Sequence, residues 1–238
     1  MGAYPSGEYL HKVINHIIRD VPNCENICDN IWLWSKNMEE HIKQLDQLLG
    51  TLQNNGITLK LPICSFGVHE IKVFGHIVSG QGILPDDNKI EAVTNAPWPK
   101  CASEVCWFLR LTHYCSRYIT DYSGITYPLR QLTKTTSSFH WGKEQDESFK
   151  KLKQALASPQ ILAHDSLTAP IWFVVDASPW ALGAVLPQQQ PVSTYGPIAY
   201  GNCSLTEVEM KYAQLEKESL AIIFGCEHFH QCMEETLS

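Results

Sequence analysis

The spacing of hydrophobic positions alternates between two periods along the chain. Residues 8 to 19 (EYLHKVINHIIR) repeat apolar positions at helical spacing, and VPN then breaks the run. ENICDNIWLWS reads as two short extended runs around a tight turn at Cys28–Asn30. EEHIKQLDQLLGTLQNNG predicts an amphipathic helix with Ile42, Leu45, Leu48, Leu49 and Leu52 on one face, and Gly56 as the residue just past its end. ITLKLPICSF and EIKVFGHIVSGQGI predict strands joined by turns, with a hairpin at Gly80–Gly82.

From Pro85 the period becomes helical. DDNKIEAVTNA and SEVCWFLRLTHYCSRYI predict two helices, interrupted by Pro97–Trp98–Pro99 because proline lacks the donor and clashes inside a helix. LTKTTSS at 132 to 138 is polar and reads as a linker, followed by a helix over WGKEQDESFKKLKQALAS. A strand pair flanks Asp176 in WFVVDASPWALGAVL. Then come a Gln-rich turn (PQQQPVSTYG), a third strand at PIAY and a helix from about Leu205 onward.

Composition narrows the reading. The chain has 238 residues, 44% of them hydrophobic and 10% aromatic, enough to build a core. No run is long and apolar enough for a membrane span, and MGAYPSGEYLHKV lacks the features of a secretory signal. Nine cysteines without a CxxC pair fit reduced thiols, so an intracellular setting, cytoplasm or nucleus, is expected rather than secretion. The formal net charge of −7 runs against a free-standing nucleic-acid binder. The segment from 100 to 134 differs, with Lys100, Arg110, Arg117, Arg130 and Lys134 against only Glu104 and Asp121. It is the candidate for touching phosphate.

The order of motifs resembles the polymerase polyprotein of gypsy-type LTR retrotransposons, from the middle of the reverse-transcriptase palm into the start of ribonuclease H. The resemblance rests on EEH at 39 to 41, FGHIVSGQGI at 74 to 83 and FLRLTHYCSRYI at 108 to 119. FHWGKEQDESFKKLK at 139 to 153, DAS and GAVL around Asp176, and PIAY to LEKESLAI at 197 to 222 complete it. It implies an α+β chain: the C-terminal part of a palm at 1–84, a helical thumb and connection at 85–137, and an incomplete α/β ribonuclease H-like domain at 138–238. It also implies truncation at both ends relative to the family.

Both ancestral chemistries, RNA-directed DNA synthesis and hydrolysis of RNA in RNA–DNA hybrids, use two Mg²⁺ ions about 4 Å apart, which needs three or four carboxylates. By the resemblance, Asp29 matches the first aspartate of the polymerase turn, while Asn30 replaces the second and removes a charge. Asp176 matches the first ribonuclease H aspartate and Glu218 the glutamate on the first helix, so these two are the expected Mg²⁺ ligands. Glu216, about 200° round the helix from Glu218, is expected to point elsewhere. The remaining acids of both sites would lie on elements outside these residues. Loss or strong impairment of both activities is therefore expected, with a non-catalytic nucleic-acid- or protein-binding retroelement protein as the alternative.

Phe74, Gly75 and His76 match the family's hairpin near the primer end, and together with Arg110 and Arg117 are the expected contacts to an RNA–DNA hybrid or a duplex. Trp32, Trp34, Trp107, Trp141, Trp172 and Trp180 are read mainly as core or half-buried anchors. CEHFHQC at 226 to 232 is read as packing, because its Cys226/His230 and His228/Cys232 pairs fall on nearly opposite helix faces and cannot converge on one zinc. The apolar strand IWFVV, left at a sheet edge, is a possible template for a protein partner.

Overall fold

Helix α1 (Ser6–Ile18), a hairpin of β1 (Cys24–Ile27) and β2 (Asn30–Leu33), and helix α2 (Met38–Asn54) open the chain. The computed structural model describes residues 6–134, 138–166, 168–190, 194–230 and 232–233. Its backbone divides into two compact units, Met1–His69 and Glu70–Ser238, each with its own core.

In the first unit Ile14, Ile18 and Val21 meet Leu48 and Leu52 of α2 across the inner face of the hairpin. The α2 stripe is narrower than its hydrophobic positions predict, since Ile42 and Leu49 remain exposed. Asn37 caps α2 by accepting from Glu40 N at 2.9 Å. At the other end Gly56 takes φ +69°, letting Gly56 N reach Gln53 O and Ile57 N reach Leu52 O. That pair of bonds satisfies the last carbonyls and folds Ile57 onto the core. The strand expected over ITLKLPICSF does not form. Pro62 has no N–H for a ladder, and Leu61–Ile63 tightens into a 3₁₀ turn instead.

The second unit begins with a three-stranded antiparallel meander, β3 (Glu70–Val73), β4 (His76–Ser79) and β5 (Gly82–Pro85). Helices α3 (Asp87–Thr94), α4 (Ala102–His113), α5 (Tyr122–Gln131) and α6 (Lys143–Ala157) follow. The helix expected through Ile119 stops at His113 and resumes as a 3₁₀ turn, Ser116–Tyr118. Part of the predicted linker, 135–137, lies outside the described residues. On α6, Phe149, Leu152 and Leu156 recur at helical spacing and enter a core with Val93, Phe108 and Leu129.

The last sheet has the order β6 (Val174–Ala177), β7 (Ala181–Gln189), β8 (Tyr195–Ser204), all antiparallel. β7 runs further than the apolar pattern predicts, because Pro187 sits at a register shift and Gln188 stays buried with its amide bonded to Ser166 and Ala169 carbonyls. β6 is an edge strand, with Val174 and Trp172 exposed. Helix α7 (Gln214–His228) covers one face through Ala221 against Ala177 and Leu182. It starts later than Leu205, since Thr206 and Glu209 hydrogen-bond each other locally and Glu209–Lys211 forms a 3₁₀ turn.

The opposite face of this sheet receives the segment around α5. Arg130 donates to Ser204 Oγ at 2.6 Å, and Tyr127 stacks on Trp180 at 5.3 Å. A strap at 162–164 stitches the two sheets of this unit. Leu162 exchanges both backbone bonds with Ile83 of β5, and Ala163 N donates to Pro197 O of β8 at 2.8 Å. The fit needs Gly82, at φ +138°, because a Cβ there would strike the Leu162 carbonyl.

Candidate nucleic-acid interface and carboxylate site

Asp176 is the penultimate residue of β6, where its cross-strand partner is Gly183. Strand alternation puts Val175 and Ala177 on the face packed by α7, and hence Asp176 on the other. There Asp176 lines a cavity of about 220 Å³ together with Thr120, Asp121, Gly183, Tyr200 and Asn202. Glu218 approaches the same end of β6 from the α7 side. Gln214 Nε2 donates both to Glu218 Oε1 at 2.6 Å and to the carbonyl of Ala177, the residue after Asp176, at 2.9 Å. The two carboxylates therefore flank one strand end from opposite sides, without a hydrogen bond between them. Glu216 does point elsewhere, accepting from Ala213 N at 2.7 Å and capping the helix.

A two-metal site asks for more than this. Asp176 and Glu218 supply hard oxygens of the right kind for Mg²⁺. Among the described residues, however, no three His, Cys, Asp or Glu side chains gather closely enough to hold an ion. Two carboxylates at one strand end are fewer than the three or four that a two-ion centre draws on.

Asp121 is the carboxylate that sequence reasoning did not single out. It sits in the left-handed region at φ 54° and caps α5 by accepting from Gly124 N at 3.1 Å. Partial burial raises its pKa, and the charge of Asp176 raises it further. A raised carboxyl costs stability once it ionises, and the cost vanishes when pH falls below its unfolded value. Asparagine tolerates the left-handed backbone and can cap equally well. Asp121→Asn is therefore expected to be more stable than the parent at neutral pH, by under about 1 kcal/mol after solvent screening. The difference should close toward pH 3 in urea titrations, and a pH-independent difference would count against repulsion between Asp121 and Asp176.

A second constellation lies on α4 and its extension. Trp107, Arg110 and Tyr114 follow at i, i+3 and i+7, all exposed, and Arg117 stands one turn further in the 3₁₀ segment. Lys89 places its ammonium 5.0 Å from the centre of the Tyr114 ring. Phe74, exposed in the β3–β4 turn, joins this group because the Tyr114 hydroxyl donates to the Phe74 carbonyl. Cations interleaved with aromatic planes are the usual composition of a nucleic-acid surface.

Residues 141–237 match the RNase H-like domain found in reverse transcriptase. Over 231 residues the chain is 31% identical to the transposon Tf2-7 polyprotein of Schizosaccharomyces pombe, covering 96% of this chain and 17% of that protein. The Tf2-3 polyprotein is 30% identical over 238 residues, covering 99% of this chain and 18% of the polyprotein. The chain is thus similar to transposon polyproteins over nearly its whole length, and residues 141–237 are similar to the RNase H-like domain of reverse transcriptase. It spans less than a fifth of the length of the polyproteins it matches. The foamy viral protease–reverse transcriptase has the same fold. Its complex with double-stranded DNA superposes with a TM-score of 0.84 at 19% identity, covering all of this chain and 49% of that one. Its complex with an RNA/DNA hybrid gives 0.78, also at 19% identity, covering 95% of this chain and 30% of that one. At that identity the likeness speaks to fold alone.

Asp29 is exposed in the two-residue turn Cys28–Asp29, and Asn30 pairs with Ile27. The buried Asn26 amide steadies that turn, donating to the carbonyls of His11 and Cys28 at 3.1 and 3.2 Å. Asp29 thus stands in a well-formed turn. The His228 ring of the CEHFHQC stretch stacks on Phe224 and meets Phe229 edge-on.

Proposed function

We propose that this chain is a duplex-holding segment of a retrotransposon reverse transcriptase, with residues 1–84 as palm, 85–137 as thumb and connection, and 138–238 as RNase H-like domain. The ancestral activities are DNA synthesis and RNA hydrolysis, and the carboxylates described above do not sustain either. The observation that carries the reading is the stripe Trp107–Arg110–Tyr114–Arg117, flanked by Lys89 and Phe74 and facing solvent on a net acidic chain. Relatives of the same fold that hold double-stranded DNA or an RNA/DNA hybrid support it. Cations contact phosphates without regard to sequence, and the aromatic planes add contact to sugars and base edges.

The expected result is salt-sensitive binding of a labelled RNA–DNA hybrid, read by anisotropy between 50 and 200 mM salt. No RNA cleavage is expected in Mg²⁺ or Mn²⁺. Cleavage abolished by Asp176→Asn would overturn the non-catalytic part, and salt-independent or absent binding would overturn the rest.

A further inference from the structure

We infer that His76 is a positioning residue: its imidazole latches the Phe74–Gly75 turn to the end of α4, so that turn and stripe meet a duplex as one surface. The inference deepens the duplex reading above and rests on it. His76 was expected to touch nucleic acid itself, yet both of its ring nitrogens are engaged inside the protein.

Val73 pairs with His76 across a two-residue turn in which Phe74 has φ 47° and Gly75 φ 78°. Two positive φ values are what the mirror-image hairpin turn requires. Glycine accepts this freely, but a bulky residue such as Phe74 pays about 1–2 kcal/mol to sit there. Such a conformation persists only where its surroundings over-determine it. The surroundings are explicit. Asp86 N donates to the Gly75 carbonyl at 3.0 Å, and Asp86 itself caps α3 and pairs with Lys72 at 2.8 Å. A Cβ on Gly75 would collide with the Tyr114 hydroxyl, so the turn and the ring are in close contact.

The hydrogen bonds fix a single tautomer. Tyr114 has one hydroxyl proton, and it goes to the Phe74 carbonyl. Tyr114 can therefore only accept from His76 Nε2, 3.3 Å away. Nε2 then carries the ring proton, leaving Nδ1 bare to accept from the Tyr118 hydroxyl at 2.7 Å. The imidazole also stacks on Tyr114, 5.3 Å between centres and 11° from parallel. Burial, and then the charge of Arg117, hold the His76 pKa below its ordinary value, which keeps the ring neutral. Lys89 above Tyr114 adds a second cation nearby, and Asp86 is the carboxylate on the facing element. A depressed imidazole contributes stability above its ordinary pKa and loses it as pH falls through the folded value. The latch is thus closed at neutral pH and opened by acid.

The test uses the full chain, a labelled RNA–DNA hybrid and nitrogen-resolved NMR of the histidines. At neutral pH the His76 ring is expected in the form with Nε2 protonated, and Tyr118→Phe should shift its Nδ1 signal. His76→Ala should weaken hybrid binding about tenfold, the equivalent of one or two lost hydrogen bonds, while His76→Gln, which offers both a donor and an acceptor, should bind nearly as the parent. As pH falls below the ordinary imidazole pKa and through the depressed His76 value, the parent should lose affinity relative to His76→Gln. A ring protonated on Nδ1, or a His76→Ala variant that binds like the parent, overturns the latch. If no form binds the hybrid, the duplex reading fails, while the ring tautomer and its response to Tyr118→Phe still decide the latch.

Discussion

Replacing Phe149 by alanine is expected to remove about 3–5 kcal/mol of stability, the usual cost of deleting a large aromatic from a packed core. The ring is 1% exposed on α6. Its centre lies 4.5 Å from Phe108 of α4, 5.4 Å from Trp98 and 5.9 Å from Trp141. Such aromatic pairs add about 0.5–1.5 kcal/mol each beyond buried area. The site has little means of collapsing. Phe108 is fixed by α4, and Lys153, which lies over the Phe149 ring, is tethered to the Ala96 carbonyl. A domain typically holds about 5–15 kcal/mol in all, so the loss is about a fifth or more of the whole. Urea denaturation followed by tryptophan fluorescence measures it. With a slope of about 2 kcal/mol per molar urea, the midpoint of the second unit should fall by about 2 M. A shift equivalent to less than 1 kcal/mol would mean that α4 and α6 are not packed through this ring.

Much of this architecture is legible in the residues, and the failures have physical causes. α2 shows in its periodic leucines, and its end shows in Gly56, since few other residues take the left-handed conformation cheaply. The β3–β4–β5 meander shows in the glycines of its turns. α5 does not announce itself, because Gly124 and Pro128 interrupt a run whose apolar positions Tyr122, Ile125 and Leu129 are nonetheless helical in spacing. Leu205–Ala213 looked helical from composition, but Thr206 and Glu209 prefer each other to the helix ladder. In the site, Asp176 and Glu218 are visible through motif order, whereas Gln214, which joins Glu218 to the end of β6, is not. The latch around His76 is invisible in one dimension, since Tyr114 and Tyr118 reach it across 38 and 42 residues. Trp107, read from the sequence as an anchor, is exposed on the same helix stripe as Arg110.

Reversing both Arg110 and Arg117 to glutamate is expected to lower hybrid affinity about 10–100-fold near 100 mM salt, and to flatten its salt dependence by about two counterions. Both guanidinium groups are exposed and belong to no ion pair among the described residues, so no internal bridge competes with a phosphate for them. Arg130 differs. It is tied to Ser204 and lies against the Tyr122 ring, so reversing it would damage the fold and confuse the reading. The exposed pair can change sign with little effect on the core, because exposed charges are worth little to stability. The diagnostic is the pairing of lower affinity with a shallower slope at an unchanged urea midpoint. Lower affinity with an unaltered slope would place the phosphate contacts elsewhere, with Lys89 and Lys100 next in line along the same surface. Neutral replacements, Arg110→Gln with Arg117→Gln, should fall between parent and reversal, since they remove the counterion release without adding repulsion.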